Sequence, residues 1–360
     1  MANQSDIVIF GTGAFASRIV FDLAIVAPRP VSVLLVGRDA ARLAWMKTAA
    51  LARASMFGRP LSVAVERREA FTTPVVTEIL DAARPKVVVN TASMQGARKS
   101  PPRADGWSRL IAAAGLGVST LLQTRISMDV ARAMGAAPGA HFINCCYPDV
   151  VNPILAAAGL PITSGFGNVA ILEHAFAGAL GPGHEELRLL AQHAALSAFR
   201  REPAQRVGAA PLRVWLGARE IDDVYDRFAG VKLTEEPAID VSGASGIPFL
   251  LALTFGAAWR GHLPGPNGLP GGYPVRLADG RLDLDLPEGL SAQEAVSWNR
   301  AFEEGNGVRV GPDGHVRYAG KVREAISAVS PELAEGFALS SFDDAFEAMS
   351  ALRRRLSEQK

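Results

Sequence analysis

The feature that most constrains this chain is a glycine-rich turn that directly follows its first apolar run. Residues 6–10 predict a strand, and they are followed by Gly11-Thr12-Gly13-Ala14-Phe15-Ala16. This is the G-x-G-x-x-A pattern, in which glycines allow a tight turn and close approach of a pyrophosphate, and a small residue lets helix and strand pack. A helix predicted over 15–27 directs its first amides at the phosphates. We therefore expect a dinucleotide to be bound by Gly11, Thr12, Gly13, Ala14 and Phe15.

The end of the second predicted strand bears on which dinucleotide is bound. A strand predicted over 31–36 is followed by Gly37, Arg38 and Asp39. An NAD site normally holds an acidic residue here, about 20 residues past the glycines, to bind the ribose hydroxyls. Gly37 instead leaves space for a 2′-phosphate, and the Arg38 guanidinium suits that phosphate, so we expect NADP. NAD stays open as the alternative, because Asp39 could be the acidic residue displaced by two positions.

Composition sets broad limits on function. Apolar residues make up 49% of the 360 residues and charged residues 20%, which is typical of a globular protein with a substantial core. The formal net charge of +1 gives no reason to expect nucleic acid or a membrane surface as partner. No signal peptide or membrane-length apolar run is visible, and the adjacent Cys145 and Cys146 cannot form a disulfide framework. We expect a cytoplasmic protein.

Strands and helices alternate over residues 1–160. Further strands are predicted over 61–65, 86–90 and 140–144, and helices over 39–56, 74–83, 107–134 and 149–158. This alternation predicts a doubly wound parallel sheet, that is, an NAD(P)-binding Rossmann domain. Ligands of such sheets bind at the carboxyl ends of the strands. The expected cofactor site therefore also includes Thr91, Ala92, Ser93 and Asn144.

Residues 161–360 follow a different pattern and predict an α+β domain. The predicted strands cover 162–166, 186–190, 212–216 and a hairpin over 308–318, and the predicted helices cover 168–180, 242–260 and 342–356. The helix over 242–260 is apolar nearly all round, which indicates that it is buried. A glycine- and proline-rich loop is predicted after it, over 262–274.

The order of these parts resembles the lactate/malate dehydrogenase superfamily over almost the whole chain. The resemblance is carried by the N-terminal glycine turn, the strand that leads into Thr91-Ala92-Ser93, the arginine- and proline-containing loop after it, Asn144, and Gly159-Leu160-Pro161 ahead of the run from Gly165 to Glu173. It implies a Rossmann domain followed by an α+β domain of that family, a small-molecule substrate, and a homodimer or homotetramer.

The resemblance also implies roles for individual residues. In such enzymes a histidine exchanges the proton of the carbonyl or alcohol, an acidic residue orients the histidine, and an arginine on a mobile loop polarises the carbonyl. The matching positions are His193, Glu173 and Arg103, with Arg98 as a rival for the loop arginine. Imidazole suits proton exchange near neutral pH, and a carboxylate partner sets its tautomer.

The family's substrate-binding arginine has no counterpart. It stands three positions after the orienting acid, where this chain has Phe176. An apolar surface in place of a charged clamp argues against lactate or malate, so we expect Phe176 to line the substrate site. Ser245, which opens the predicted buried helix, is a further candidate for substrate contact.

These expectations define an NADP(H)-preferring oxidoreductase that transfers hydride to a ketone or imine other than a standard 2-keto acid, with His193 as proton donor. One alternative is an NAD-dependent 2-hydroxy-acid dehydrogenase that uses Arg98 or Arg103 as its carboxylate clamp. A second is a nucleotide-sensing protein without catalytic activity. No spacing of histidines, cysteines and acids suggests a metal site.

Overall fold

The structure is a computed structural model that describes residues 4–95, 105–206, 208–209, 211–234, 238–305 and 307–359. The elements of the first half alternate between strands and helices. They are β1 (Ile7–Phe10), α1 (Ala14–Val26), β2 (Val31–Gly37), α2 (Ala40–Met56), β3 (Leu61–Arg67), α3 (Thr73–Ala83), β4 (Val87–Asn90), α4 (Gly106–Ala114), α5 (Thr120–Ala133), β5 (His141–Asn144) and α6 (Pro148–Ala157).

The second half mixes short strands with helices. Its elements are α7 (Val169–Leu180), β6 (Leu187–Leu190), β7 (Arg213–Leu216), β8 (Arg219–Glu220), α8 (Val224–Arg227), α9 (Ile239–Ser245), α10 (Ile247–Phe255), β9 (Trp259–Pro264), β10 (Gly272–Ala278), β11 (Arg281–Leu284), α11 (Ala292–Gly305), β12 (Val308–Val310), β13 (His315–Tyr318), α12 (Gly320–Ser327), α13 (Pro331–Ala334), β14 (Phe337–Ala338) and α14 (Phe342–Ser357).

The central sheet is parallel, with strand order β3-β2-β1-β4-β5. Phe10 is in register with Asn90, and Asn90 with Asn144, so three strand ends meet at one edge. The chain order reverses between β1 and β4, which is where such sheets bind ligands. Three antiparallel sheets, β6-β7-β8, β9-β10-β11 and β12-β13-β14, complete the second half. The predicted Rossmann and α+β fold class is confirmed.

The two faces of the central sheet are covered by different parts of the chain. Ile7 and Ile9 point to the face packed by α1, α2, α10 and the sheet β9-β10-β11. Val8 and Phe10 point to the opposite face, packed by α3 to α6 and by the C-terminal elements from β12 to α14. The two hydrophobic cores therefore draw on both halves of the sequence, and the division at residue 160 stays a prediction.

Three second-half elements differ from their prediction. The helix predicted over 242–260 ends at Phe255, because Gly256 adopts a left-handed conformation (φ +64°) that terminates α10, and a strand begins at Trp259. The loop predicted over 262–274 is shorter, because residues 262–264 end β9 and residues 272–274 begin β10, and only residues 265–271 connect the two strands. The strand predicted over 162–166 is reduced to a single bridge between Ser164 and Ile143 at the edge of the sheet.

Candidate active site

The glycine turn between β1 and α1 is shaped by contact with the end of β4. Gly11 has φ +113°, which L side chains rarely adopt, and a Cβ there would lie 2.3 Å from Thr91 Oγ1. Both the backbone N–H and the hydroxyl of Thr91 donate to the Phe10 carbonyl at 2.8 Å. Thr91 thus fills the space that the missing side chain of Gly11 leaves, and the turn stays tight.

The surface in front of α1 is open. Gly13 and Ala14 are exposed, and a Cβ added at Gly13 would meet nothing within 4 Å. Gly13 lies at the N-cap of α1, where the first amides have no intrahelical partners and can bind an anion. Phe15 is half-buried against the core below. This arrangement fits the pyrophosphate of a dinucleotide.

The end of β2 offers a cationic surface beside this turn. Gly37 is buried under Thr12, because a Cβ at Gly37 would lie 2.3 Å from Thr12 Cγ2. Arg38 is exposed, and its guanidinium has no hydrogen-bond or ion-pair partner within the described part of the chain. Asp39 caps α2 by accepting from the Arg42 amide at 3.0 Å, and the Arg42 side chain donates to the Thr12 carbonyl. The space over Gly37 is thus filled by Thr12, and the Arg38 guanidinium stays accessible beside the glycine turn.

Buried amides organise the ends of β4 and β5. The Asn90 side chain donates to Ala92 O and accepts from Ala92 N, which shapes the Thr91-Ala92-Ser93 turn. Asn144 is fully buried; its amide donates to Cys146 O and Asn152 Oδ1, and its carbonyl accepts from Ser127 and Cys146. All the bonding capacity of the Asn144 side chain is used inside the protein. Asn144 therefore shapes the loop, and its side chain is not free to contact a cofactor.

His193 is held at this edge by a carboxylate from the start of α6. The Asp149 carboxylate accepts from the His193 backbone N–H at 2.8 Å, and its other oxygen accepts a short hydrogen bond from Asn168 at the start of α7. Asp149 is 3% exposed, while His193 is exposed. Asn168 itself has φ +45°, an uncommon conformation for a residue other than glycine.

The surroundings of His193 favour the neutral imidazole. Desolvation by the surrounding protein, together with the positive charge of Arg200, lowers the pKa of His193 to about 4. The imidazole of His193 is therefore neutral at neutral pH. The side chain nevertheless keeps accessible surface.

A second buried carboxyl group lies near Asp149. Burial raises the pKa of Asp149 to about 6, against the effect of its two hydrogen bonds. Burial and the charge of Asp149 together raise the pKa of Glu303, near the end of α11, well above its usual range. Glu303 Oε1 has no hydrogen-bond partner among the described residues. At neutral pH this arrangement favours a protonated Glu303 beside a largely ionised Asp149.

Glu173 does not form the predicted pair with His193. Its Oε2 lies 2.9 Å from His174 Nδ1 and 3.9 Å from His262 Nδ1, in a separate cluster. His262 is buried, and its Nε2 accepts from the Leu189 amide at 3.0 Å, so Nδ1 carries the proton and faces Glu173. The carboxylate that contacts His193 is Asp149.

Two predicted substrate contacts are not supported by the structure. Phe176 has no exposed surface, because its ring stacks on Phe228 at 3.9 Å between centroids and meets Phe199 edge to face. Ser245 is 6% exposed, and its hydroxyl donates to the Ser242 carbonyl one turn earlier in α9. Phe176 belongs to the core of the second half, and Ser245 to the packing of α9.

Arg98 and Arg103 lie outside the described residues, in the segment 96–104. The residues that flank this segment are well anchored. The Met94 amide donates to the Leu122 carbonyl, and Arg353 donates to the Met94 carbonyl. On the other side Asp105 caps α4 by accepting from the Ser108 amide at 2.8 Å. The roles predicted for the two arginines stay predictions.

Sequence reasoning missed Asp149, Arg200 and Glu303. Asp149 had a visible signal, because it is an acidic residue in the first turn of the helix that follows a strand ending at the ligand edge. Glu303 gave none, since its place near Asp149 depends on a contact between distant segments. Arg200 is close to His193 in sequence, but that the two lie in one 3₁₀ helix is visible only in the structure. Within the described ranges no group of three metal-ligating side chains is present, and no helix is long and apolar enough to cross a membrane.

The parallel sheet, its glycine turn and the α+β second half define the fold of the lactate and malate dehydrogenases. Malate dehydrogenase from Plasmodium falciparum superposes with a TM-score of 0.55 at 10% identity, over 84% of this chain and 97% of that one. Malate dehydrogenase from Cryptosporidium parvum gives 0.54 at 15% identity, over 84% and 98%. Lactate dehydrogenase from Eimeria maxima, solved with NADH and oxamate, gives 0.52 at 14%, over 85% and 92%.

These likenesses extend over most of the chain and nearly all of each compared protein. At 10 to 15% identity they define the fold and leave the substrate open. No protein-family model and no curated protein matches the sequence.

Proposed function

We propose that this protein is an NADP(H)-preferring oxidoreductase that transfers hydride to the carbonyl or imine carbon of a small molecule, with His193 exchanging the proton. The observation that carries the proposal is the accessible His193, held by Asp149 at the sheet edge that also bears the glycine turn. A titratable group with a perturbed pKa at the ligand-binding edge of such a sheet is typical of an active site. The dehydrogenases that share the fold, one of them solved with NADH, support the same class.

The residues of the first half would hold the cofactor in three places. The exposed amides at Gly13 and Ala14 would bind the pyrophosphate, and the Arg38 guanidinium, which has no partner among the described residues, would bind a 2′-phosphate. The turn over 91–93, organised by Asn90, lies next to Gly11 and toward the reacting end. When bound, the nicotinamide supplies the hydride, and the protein contributes position and electrostatics.

His193 supplies the proton chemistry. With a pKa of about 4 its imidazole is neutral at pH 7, so it can accept the proton of an alcohol directly. In the reductive direction it must first be protonated. The Asp149 bond fixes the backbone that carries the ring, which limits the positions that the ring can take.

The substrate differs from a 2-keto acid because α7 carries no arginine. On α7 the Glu173 carboxylate pairs with the His174 imidazole, and Phe176 is buried. A small 2-keto acid bound as in the compared dehydrogenases would need a cation on this helix for its carboxylate. We therefore propose that the substrate is a ketone or imine whose shape differs from that of a small 2-keto acid.

Replacement of His193 tests the proposal. H193A and H193N should cut single-turnover oxidation of bound NADPH by about 100-fold or more against a panel of ketones and imines, since general acid–base catalysis contributes about that much. NADPH affinity should stay within about twofold, and H184N, at an exposed histidine in a loop, should behave as wild type. Unchanged turnover in H193A would remove the assignment, and NADPH binding without turnover on any substrate would favour a nucleotide sensor.

We also propose that the protein is a cytoplasmic homodimer or homotetramer whose Rossmann and α+β halves meet near residue 160. Trp45, Met56 and Phe57, on or next to α2, are 56%, 77% and 58% exposed, and they are the apolar side chains that a subunit contact at this helix would cover. Sedimentation equilibrium of the wild type and of W45K/M56K tests this. A monomeric wild type would contradict the oligomer.

A further inference from the structure

The guanidinium of Arg200 has no hydrogen-bond or ion-pair partner among the residues that the structure describes. Its Nε is buried and has no hydrogen-bond partner, and no described residue bonds either of its Nη atoms. The side chain as a whole is half-buried, so part of the guanidinium remains accessible. A guanidinium that loses water on one side without gaining a protein partner is costly unless a ligand completes its bonds.

Arg200 belongs to the same local segment as the acid/base residue. A 3₁₀ helix runs from His193 to Arg200. Residues three apart eclipse each other in such a helix, so Ala194, Ser197 and Arg200 share one face. Each of these three residues keeps accessible surface, whereas Ala195, Leu196, Ala198 and Phe199 are buried. His193 directly precedes Ala194 and is itself exposed, while its three-residue neighbours Leu196 and Phe199 are buried, so an accessible strip runs from His193 past Ala194 and Ser197 to the Arg200 side chain.

The two ends of the strip interact. The positive charge of Arg200 lowers the pKa of His193, so the two side chains lie within electrostatic range of each other. Their Cα atoms stand about 14 Å apart at the rise of about 2 Å per residue of a 3₁₀ helix. Because their Cα atoms are this far apart, the space between the His193 and Arg200 side chains is longer than the two-carbon unit of a 2-keto acid.

We propose that Arg200 binds a carboxylate of the substrate, and that this carboxylate is separated from the reacting carbonyl by several bonds. The proposal rests on the function proposed above and names its substrate class, an oxo acid with a remote carboxylate. The carbonyl lies at His193, the chain of the acid follows Ala194 and Ser197, and the guanidinium pairs with the carboxylate. The planar fork of arginine suits a carboxylate through two parallel hydrogen bonds.

The charge arrangement supports an anion at this end of the strip. The next carboxylate along the chain, Glu202, pairs with Lys232 and is therefore not a partner of Arg200. Arg206 does not compete for a ligand, because it is 2% exposed and donates to the carbonyls of Arg201, Phe228 and Val231. Among Arg200, Arg201 and Arg206, Arg200 is the half-buried arginine whose guanidinium has no partner among the described residues and can bind an anion.

The experiment compares acids with uncharged esters. NADPH oxidation is measured with pyruvate, acetoacetate and levulinate and with the methyl ester of each, in wild type, R200A, R200K and R201A. We expect wild type to prefer levulinate over pyruvate and over methyl levulinate. R200A should lower the ratio of kcat/KM for levulinate to kcat/KM for its methyl ester by about 10- to 100-fold, as expected for loss of a charge-assisted pair, because a change in the His193 pKa acts on both substrates alike. R200K should recover part of the loss, and R201A should match wild type.

Binding gives a readout that does not need turnover. Thermal shift of the NADPH complex with added levulinate should report a Kd that R200A and R200Q weaken by the same 10- to 100-fold. Equal levulinate binding by wild type and these variants, an equal loss on acid and ester, or a preference for pyruvate would overturn the proposal. If no ketone is reduced by any protein, the proposed oxidoreductase activity fails, and the levulinate Kd of R200A against R201A alone then decides the role of Arg200.

Discussion

The Asp149 carboxylate accepts a hydrogen bond from the His193 backbone amide at 2.8 Å, across 44 residues of sequence. This bond joins the start of α6, which follows the ligand edge of the parallel sheet, to the segment that carries the acid/base residue. The same carboxylate accepts from Asn168 at the start of α7. One buried acid therefore holds three segments in a fixed relation where the cofactor half and the substrate half meet.

Loss of Asp149 should destabilise the protein and displace His193. D149A leaves the buried amide of His193 and the side-chain amide of Asn168 without acceptors, and each such loss costs about 1–3 kcal/mol. D149N should cost less than about 1 kcal/mol, because its carbonyl can still accept from the His193 amide and the Asn168 amide can turn its unpartnered oxygen toward the new NH₂. Urea unfolding measures both.

The matched control for this prediction is D222A, since Asp222 is exposed and makes no hydrogen bond or ion pair with any described residue. It should leave the free energy of unfolding within about 0.5 kcal/mol of wild type. A D149A protein as stable as D222A would show that the bond between Asp149 and His193 does not hold the site together.

Removal of the Arg38 guanidinium should weaken NADPH specifically. A charge-assisted pair contributes about 1.5–3 kcal/mol, so R38A should raise the KM for NADPH by about 10- to 100-fold. NADH lacks the 2′-phosphate, and its KM should not change. Steady-state kinetics with both cofactors on the same variant provides the internal control, and an equal effect on NADPH and NADH would refute the assignment of Arg38 to the 2′-phosphate.

Burial of His262 should make stability depend on pH. Desolvation lowers the pKa of His262 from 6.5 to about 4; Glu173 and Asp285 oppose this shift, and His174 and Arg188 add to it. Between pH 6.5 and about 4 the unfolded chain binds a proton here that the folded chain does not bind. The free energy of unfolding therefore falls as the pH decreases through this window.

H262Q removes this titration and keeps a carbonyl that can accept from the Leu189 amide. The loss of unfolding free energy between pH 7 and pH 4 should be smaller in H262Q than in wild type, by on the order of 3 kcal/mol. H184Q, at an exposed histidine, should retain the wild-type dependence. Parallel curves for wild type and H262Q would show that His262 does not titrate differently in the folded and unfolded states.

The cofactor half was largely predictable because its signals are local. A tight turn at φ +113° requires glycine, as at Gly11, and strands buried on both faces consist of apolar runs. Gly256 shows the limit of this reasoning. The apolar run around it reads as one helix, and whether a glycine continues or ends a helix depends on the packing of the residues beyond it.

The substrate half was less predictable because its contacts join distant segments. Glu173 stands at the position that the family resemblance favours, yet its helix turns it toward His174 and His262. The carboxylate that reaches His193 comes from a different helix. The sequence alone predicts that Phe176 contacts substrate, because it does not show which residues pack against it. In the structure the rings of Phe199 and Phe228 cover Phe176.

The pH dependence of catalysis should follow His193. Its pKa lies below the usual 6.5, so at pH 7 and above the protonated fraction falls tenfold with each pH unit. Ketone reduction takes up this proton, and its kcat/KM should therefore fall about tenfold per unit in that range. Alcohol oxidation uses the neutral imidazole, and its kcat/KM should be independent of pH above 6.5. R200Q removes a positive charge that lowers this pKa and should move both profiles to higher pH, while R201Q should leave them in place. A break above pH 7 in wild-type oxidation would show that a group other than His193 exchanges the proton.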